Sequence, residues 1–355
     1  MADLDDIDHI AVLRALPGLG DMVCAVPALR ALRHRFPQAR VALIGLWASR
    51  WMLDAYPHYV DELLPIDGLP LLCPPPADTD GAMAALNAAR EQHFDLAVQL
   101  HGDGSLSNLV TALLGARTVM VHHLPGQAAP EGALAVPYPD RGHEIVRLLD
   151  LVEHFGVVGD AQLEPPSYES QAAGRQLAAT LPVASGGLAV LHPGASRPGR
   201  RWAVAGFAAV ARFLLERDVV VVATGTEDEH PLVGELCRRE PGVIDLCGHT
   251  NVCDLAGLLS GARLVVSNDT GIAHLAAAVR VPSVVTFLGD DPGRWAPIDS
   301  VRHRVVLLAN LPDIRVGSAL VPAGEAPPRG LLDGELAAVL GAVADQLASF
   351  PPPGR

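Results

Sequence analysis

The stretch Ser267-Asn268-Asp269-Thr270-Gly271, with His274 three residues on, sets small polar side chains between two apolar runs in ARLVVSNDTGIAHLAAAVRVPSVVTFLG, residues 262–289. A bare connection needs fewer polar groups. A helix that starts from such residues offers its first N–H groups, and here the Thr270 hydroxyl, to an anion, while Asp269 can accept from sugar hydroxyls. Gly271 keeps a Cβ away from a phosphate. His274 falls one turn inside the helix and is expected near the same mouth. Asn268 or Asp269 could also cap the helix without conflict. The stretch reads as a ligand loop.

Three further stretches carry matching chemistry. LHPGASRPGRRWAVAGF (191–207) brings Ala195, Ser196, Arg197, Arg200 and Arg201 to a strand end, which suits a diphosphate held by backbone N–H groups and charge-assisted hydrogen bonds; a solvated basic turn is the alternative. VVVVATGTEDEH puts Glu227 and Glu229 after another strand, where an acid can take ribose hydroxyls or simply sit at a helix start. LPGLGD (16–21) joins the first strand to the first helix, with Gly18 and Gly20 admitting a ligand close to the backbone. Its Asp21 is either an N-cap or a general base aimed at substrate. A dinucleotide fingerprint fails there because its third glycine position holds Val23. LHGDGSLSN (100–108) adds His101, Asp103 and Ser105 at the same edge. His101 either faces substrate or is a satisfied loop histidine.

The elements that must position these residues alternate. From residue 9, HIAVLRAL, ARVALIGL, DELLPI, FDLAVQL and ARTVMVH read as strands. Helical stretches such as DMVCAVPALRALRHRF and HEIVRLLDLVEHFG lie among them. Periodicity fades between about 156 and 184, apart from a short helix, and then the same alternation restarts at GGLAVLHPG. Short apolar strands alternating with helices predict α/β architecture with doubly wound parallel sheets, whose ligands sit at the carboxyl ends of the strands. The expected organisation is an acceptor-binding domain over 1–160, a linker over 161–184, a nucleotide-sugar domain over 185–330, and a closing helix and tail over 331–355.

Composition narrows the classes. A chain of 355 residues exceeds one ordinary core. Net charge is −14 and all 26 basic residues are Arg, which disfavours nucleic acid as a partner and a polybasic membrane anchor. Cys24, Cys73, Cys237, Cys247 and Cys253 form no C-x-x-C pair, so reduced thiols and no metal site are expected. No apolar run reaches about 18 residues, and the acidic opening MADLDDIDHI carries no export signal. A cytoplasmic protein is expected, with loose attachment to the inner membrane face left open.

GLGDMVCAVPALRALRHRFP, HPGASRPGRRW, TGTEDE, LCGHTNVCDLAGLLSGARLVVSNDTGIAHLAAAV and FLGDDPGRWAP together resemble glycosyltransferase family 9, the ADP-heptose:lipopolysaccharide heptosyltransferases. The resemblance implies a GT-B fold, with two Rossmann-like domains facing across a cleft. It also implies an inverting, metal-independent transfer without a cofactor, ADP-heptose being the co-substrate and a glycan or glycolipid hydroxyl the acceptor. Asp21 then corresponds to the base and Arg200 or Arg201 to the basic residue at the leaving phosphate. Ala195, Ser196, Glu229 (or Glu227), Asp269, Thr270, Gly271 and His274 correspond to the donor site. Gly18, Gly20, His101 and Ser105 fall on the acceptor side. Closure near 156–184 would join the two halves. Another nucleotide-sugar, a small-molecule acceptor, or a non-catalytic nucleotide- or sugar-binding protein remain the alternatives.

Overall fold

The computed structural model describes residues 6–69, 72, 78–154, 156, 159–183, 185–308 and 333–351. The chain divides into two compact units, Met1–Ser167 and Tyr168–Arg355.

The first unit holds a six-stranded parallel sheet: β1 (His9–Leu13), β2 (Arg40–Gly45), β3 (Glu62–Pro65), β4 (Leu96–Gln99), β5 (Thr118–His123) and β6 (Leu134–Pro137). Their order is β3-β2-β1-β4-β5-β6. The helices are α1 (Leu19–Arg35), α2 (Trp51–Ala55), α3 (Thr79–Arg90), α4 (Ser107–Leu113) and α5 (Glu144–Glu153). β1 lies central, with Leu13 opposite Ile44 on one side and Gln99 on the other. Ile10, Val12 and Leu13 are fully buried, as a strand covered on both faces requires.

The second unit repeats the plan. Its strands are β7 (Leu188–His192), β8 (Val220–Ala223), β9 (Ile244–Asp245), β10 (Leu264–Asn268), β11 (Ser283–Phe287) and β12 (His303–Leu307). They run in the order β12-β11-β10-β7-β8-β9, again all parallel. Around them lie α6 (Ala172–Thr180), α7 (Val204–Leu215), α8 (His230–Arg239), α9 (Val252–Ser260), α10 (Gly271–Ala278), α11 (Pro292–Trp295) and α12 (Asp333–Ser349). Two doubly wound α/β domains are therefore present, as the alternation predicts.

The differences lie at the margins. β6 and β12 are edge strands, partly exposed and interrupted by Pro137 or by His303 and Arg304, so neither shows the apolar run that marks a central strand. The stretch expected as a linker over 161–184 is shared between the units. Residues up to Ser167 are tied to the first: Tyr56 Oη donates to the Glu164 carbonyl at 3.0 Å, and Ser167 N–H to the Ala55 carbonyl at 2.6 Å. α6 belongs to the second, crossing α9 so closely that a Cβ on Gly174 would lie 1.8 Å from the Asp254 carbonyl oxygen. The closing helix α12 is part of the second core, with Val339 and Val343 fully buried in it. The Pro/Gly-rich loop expected near 311–330, and Cys73, lie outside the described residues.

Candidate functional site

In the second unit the strand-end loops are joined by one amide. Asn268, buried at the end of β10, accepts from Trp202 N–H at 2.8 Å and from Thr286 Oγ1 at 3.0 Å. Its Nδ2 donates to the Pro193 carbonyl at 2.8 Å. Asn268 thus fixes the loop after β7 against β10 and β11 rather than capping the next helix. The N-cap of α10 is Thr270, in extended backbone and with no side-chain bond to the helix's first N–H groups. Gly271 is the first helical residue.

Beside that helix start, Asp269 is 4 % exposed, and its Oδ2 has no hydrogen-bond partner among the described residues. Burial pushes its carboxyl up to about 7; Arg200 acts against that rise and Asp290 adds to it. Arg200 forms an ion pair with Asp290, both half-buried. Arg201 turns to its own loop, Nε donating to the Ala195 carbonyl at 2.8 Å. Ala195 is buried and Ser196 exposed. His274 is buried one turn into α10, its ring set edge-on to Trp295 at 6.3 Å. A buried carboxyl oxygen without a donor, a half-buried guanidinium and an uncapped helix start form a set that accepts hydroxyls and anionic oxygens together.

The acids after β8 take different positions. Thr226 and Glu229 form a capping box, the carboxylate accepting from Thr226 N–H at 2.9 Å. Glu229 is buried against Gly194, where a Cβ would lie 2.1 Å from Oε1, and its Oε2 is 3.7 Å from His192 Nε2. Burial lowers the basicity of His192, with Glu229 opposing. Glu227 is exposed.

In the first unit, Gly18 is the N-cap of α1 and Gly20 and Asp21 lie in its first turn. The Asp21 carboxylate folds back over the N-cap: a Cβ on Gly18 would lie 2.1 Å from Oδ2. Asp21 is half-buried, at the carboxyl edge of the sheet. His101, at the end of β4, accepts from Ala15 N–H through Nδ1 at 3.1 Å. Burial, and then Arg14, hold its ring down to about 4, so the imidazole is neutral and Nε2 carries the proton. Ser105 is exposed, its N–H donating to Asp103 Oδ1 at 2.9 Å; the hydroxyl that anchors the loop is Ser107, which donates to the His101 carbonyl at 2.6 Å.

The structure gathers Gly18, Gly20, Asp21 and His101 at one sheet edge. At another it gathers Arg200, Arg201, Asp269, Thr270 and Gly271. Ser105, Ser196 and Glu227 are solvent-facing. Arg14 is an addition outside the motifs, its available signal being one charge inside the apolar run HIAVLRAL, while His192 and Asp290 lie within HPGASRPGRRW and FLGDDPGRWAP without a role that the sequence assigns. Among the described residues no cluster of His, Cys, Asp and Glu could hold a metal, and no helix is long and apolar enough to cross a membrane.

Comparison with known proteins gives a consistent set of likenesses. The model of glycosyltransferase family 9 (heptosyltransferase) matches residues 83–318. The chain is 29% identical to lipooligosaccharide heptosyltransferase 2 of Haemophilus influenzae over 112 residues, which is 30% of this chain and 32% of that protein, about a third of its length. It is 26% identical to lipopolysaccharide heptosyltransferase 3 of Escherichia coli over 291 residues, 78% of this chain and 83% of that protein. Its fold is like that of Escherichia coli ADP-heptose lipopolysaccharide heptosyltransferase II, with a TM-score of 0.68 at 20% identity, covering 97% of this chain and 99% of that one.

Proposed function

Because the chain belongs to glycosyltransferase family 9, we propose that it moves a heptose from ADP-heptose to a hydroxyl of a lipopolysaccharide-type glycan, with inversion at the anomeric carbon and without a metal. The observation that carries this reading is Asp269, a buried carboxyl with an unmatched oxygen beside the uncapped start of α10 and the Arg200 guanidinium. Such a set suits a molecule that is both polyhydroxylated and anionic, as a sugar diphosphate is. The heptosyltransferase names of the relatives supply the sugar and the acceptor class.

In this reading Asp21 accepts the proton of the acceptor hydroxyl as its oxygen attacks the anomeric carbon, and the carbon–oxygen bond to the diphosphate breaks on the opposite face. His101, neutral and protonated on Nε2, donates a hydrogen bond on the acceptor side. Negative charge gathers on the departing diphosphate, where Arg200 and the start of α10 offset it and Arg201 keeps the loop in shape; one such donor is worth about 10²–10³ in rate. Glu229, with Glu227 as the exposed rival, takes the ribose. The reaction belongs on the cytoplasmic side, with loose attachment to the inner membrane face as a finer form of the proposal.

Donor consumption with ADP-heptose, UDP-sugars and GDP-sugars, each with and without EDTA, tests it. ADP-heptose should be used with an undiminished rate in EDTA. Preference for a UDP- or GDP-sugar overturns the donor assignment, and loss of rate in EDTA overturns the metal-independent chemistry.

A further inference from the structure

Arg14 ends the buried β1 run, is 1 % exposed, and points all three arms of its guanidinium into the scaffold beneath the acceptor-side loops. Nε donates to the Asp21 carbonyl at 2.8 Å, in the first turn of α1. Nη1 donates to the Leu100 carbonyl, one residue before His101. Nη2 lies 3.6 Å from Oε1 of Glu144, in the first turn of α5, a carboxylate itself 3 % exposed. The residue after Arg14 completes the ring, since Ala15 N–H is the donor to His101 Nδ1.

We propose that Arg14 is a positioning residue for the transfer: its buried fork fixes the backbone on which Asp21 and His101 stand through two carbonyls, and the Glu144 carboxylate offsets its charge. The inference rests on the reading of Asp21 as the base and His101 as an acceptor-side donor. The physical reason is geometric. A planar guanidinium can serve two carbonyls on different elements and a carboxylate at once, whereas an ammonium is a point donor on a flexible stem. Near-attack geometry is sensitive to shifts of about 1 Å, which cost about 10²-fold in rate. The cation also acts on His101 directly, adding to the effect of burial that keeps the ring neutral. The charged group that acts on that ring is Arg14, at the end of β1.

Two readouts separate the fork from the charge. Arg14→Lys keeps the cation, so the NMR titration midpoint of the His101 ring should match that of the wild type. Its kcat should nevertheless fall about 10²-fold, with the KM for ADP-heptose unchanged. Arg14→Gln removes the cation and should move the His101 midpoint upward, though only in part, because burial is the larger cause. Should that variant fail to fold, the pair can be replaced together, Arg14→Met with Glu144→Leu, since apolar replacement of a buried pair is often tolerated. The folded double variant should still lose turnover. Wild-type kcat in Arg14→Lys or in the double variant, or an unmoved His101 midpoint in folded Arg14→Gln, overturns the proposal. Failure of the underlying reading shows separately, as full turnover by Asp21→Asn.

Discussion

The two units carry the same sheet plan but prepare their strand ends in opposite ways. Beneath the first unit's loops the buried charge is a cation whose arms meet Asp21, Leu100 and Glu144. At the second unit's loops the buried charge is the Asp269 carboxyl, one of whose oxygens is left without a donor among the described residues. A buried polar group without a partner costs about 1–3 kcal/mol, so such a group survives where something else supplies the partner. The contrast is between a cation tied by two of its nitrogens to backbone carbonyls of its own scaffold, with Nη2 left to an ion pair alone among the described residues, and a carboxyl beside an uncapped helix start.

The largest test of this contrast is Asp21→Asn. If the first unit supplies the base, turnover should fall by about 10²–10⁴, read as the rate of ADP release under saturating substrates. Next comes the Arg pair in the second unit. Arg200→Gln should cost about 10²–10³ in kcat and weaken donor binding. Arg201→Gln, whose guanidinium braces the Ala195 carbonyl, should cost several-fold less in steady-state assays. Equal losses would erase the distinction between the guanidinium beside Asp269 and the one that shapes its own loop.

A smaller effect concerns pH and stability. The folded-state carboxyl of Asp269 lies above its ordinary value of 3.8, at about 7. The folded chain therefore holds this proton more tightly than the unfolded chain does. The stability it contributes is present below 3.8 and is lost as pH rises through about 7. Asp269→Asn should flatten that part of the stability–pH curve, measured by denaturant titration across the window. The smallest effect on catalysis belongs to the scaffold away from both loop sets. Gly174→Ala, which thrusts a methyl at the Asp254 carbonyl, should destabilise by about 1–3 kcal/mol in thermal or denaturant unfolding while leaving kcat within about two-fold.

Much of this arrangement is legible along the chain because central parallel strands are apolar throughout. β7 and β10 are buried from end to end, so the polar residues that end them stand out at the carboxyl edge of the sheet. β6 and β12, edge strands with exposed positions, escape a linear reading, whereas the edge strand β3 is read as DELLPI. The segment over 161–184 looks like a linker because its contacts are nonlocal: Glu164 is held by Tyr56, Tyr59 and Arg30. α6 depends on small residues on α9, Gly257 among them. Among the site residues, Asp269 and Arg200 are visible as polar types at strand ends. The work of Asn268 and Arg14 is not, because each acts on carbonyls or amides from neighbouring strands that only the sheet order brings alongside. The pair Glu227 and Glu229 looks alike along the chain, and only the fold of the turn separates their positions, with Glu229 in the capping box and Glu227 in solvent.

The division of labour between the two units is tested most directly by calorimetric titration of ADP-heptose into three proteins: wild type, Asp21→Asn and Asp269→Asn. Asp21→Asn should bind the donor with the wild-type Kd, while Asp269→Asn should bind it about ten-fold more weakly, the equivalent of about 1.4 kcal/mol. Loss of donor affinity in Asp21→Asn, or wild-type affinity in Asp269→Asn, contradicts that division.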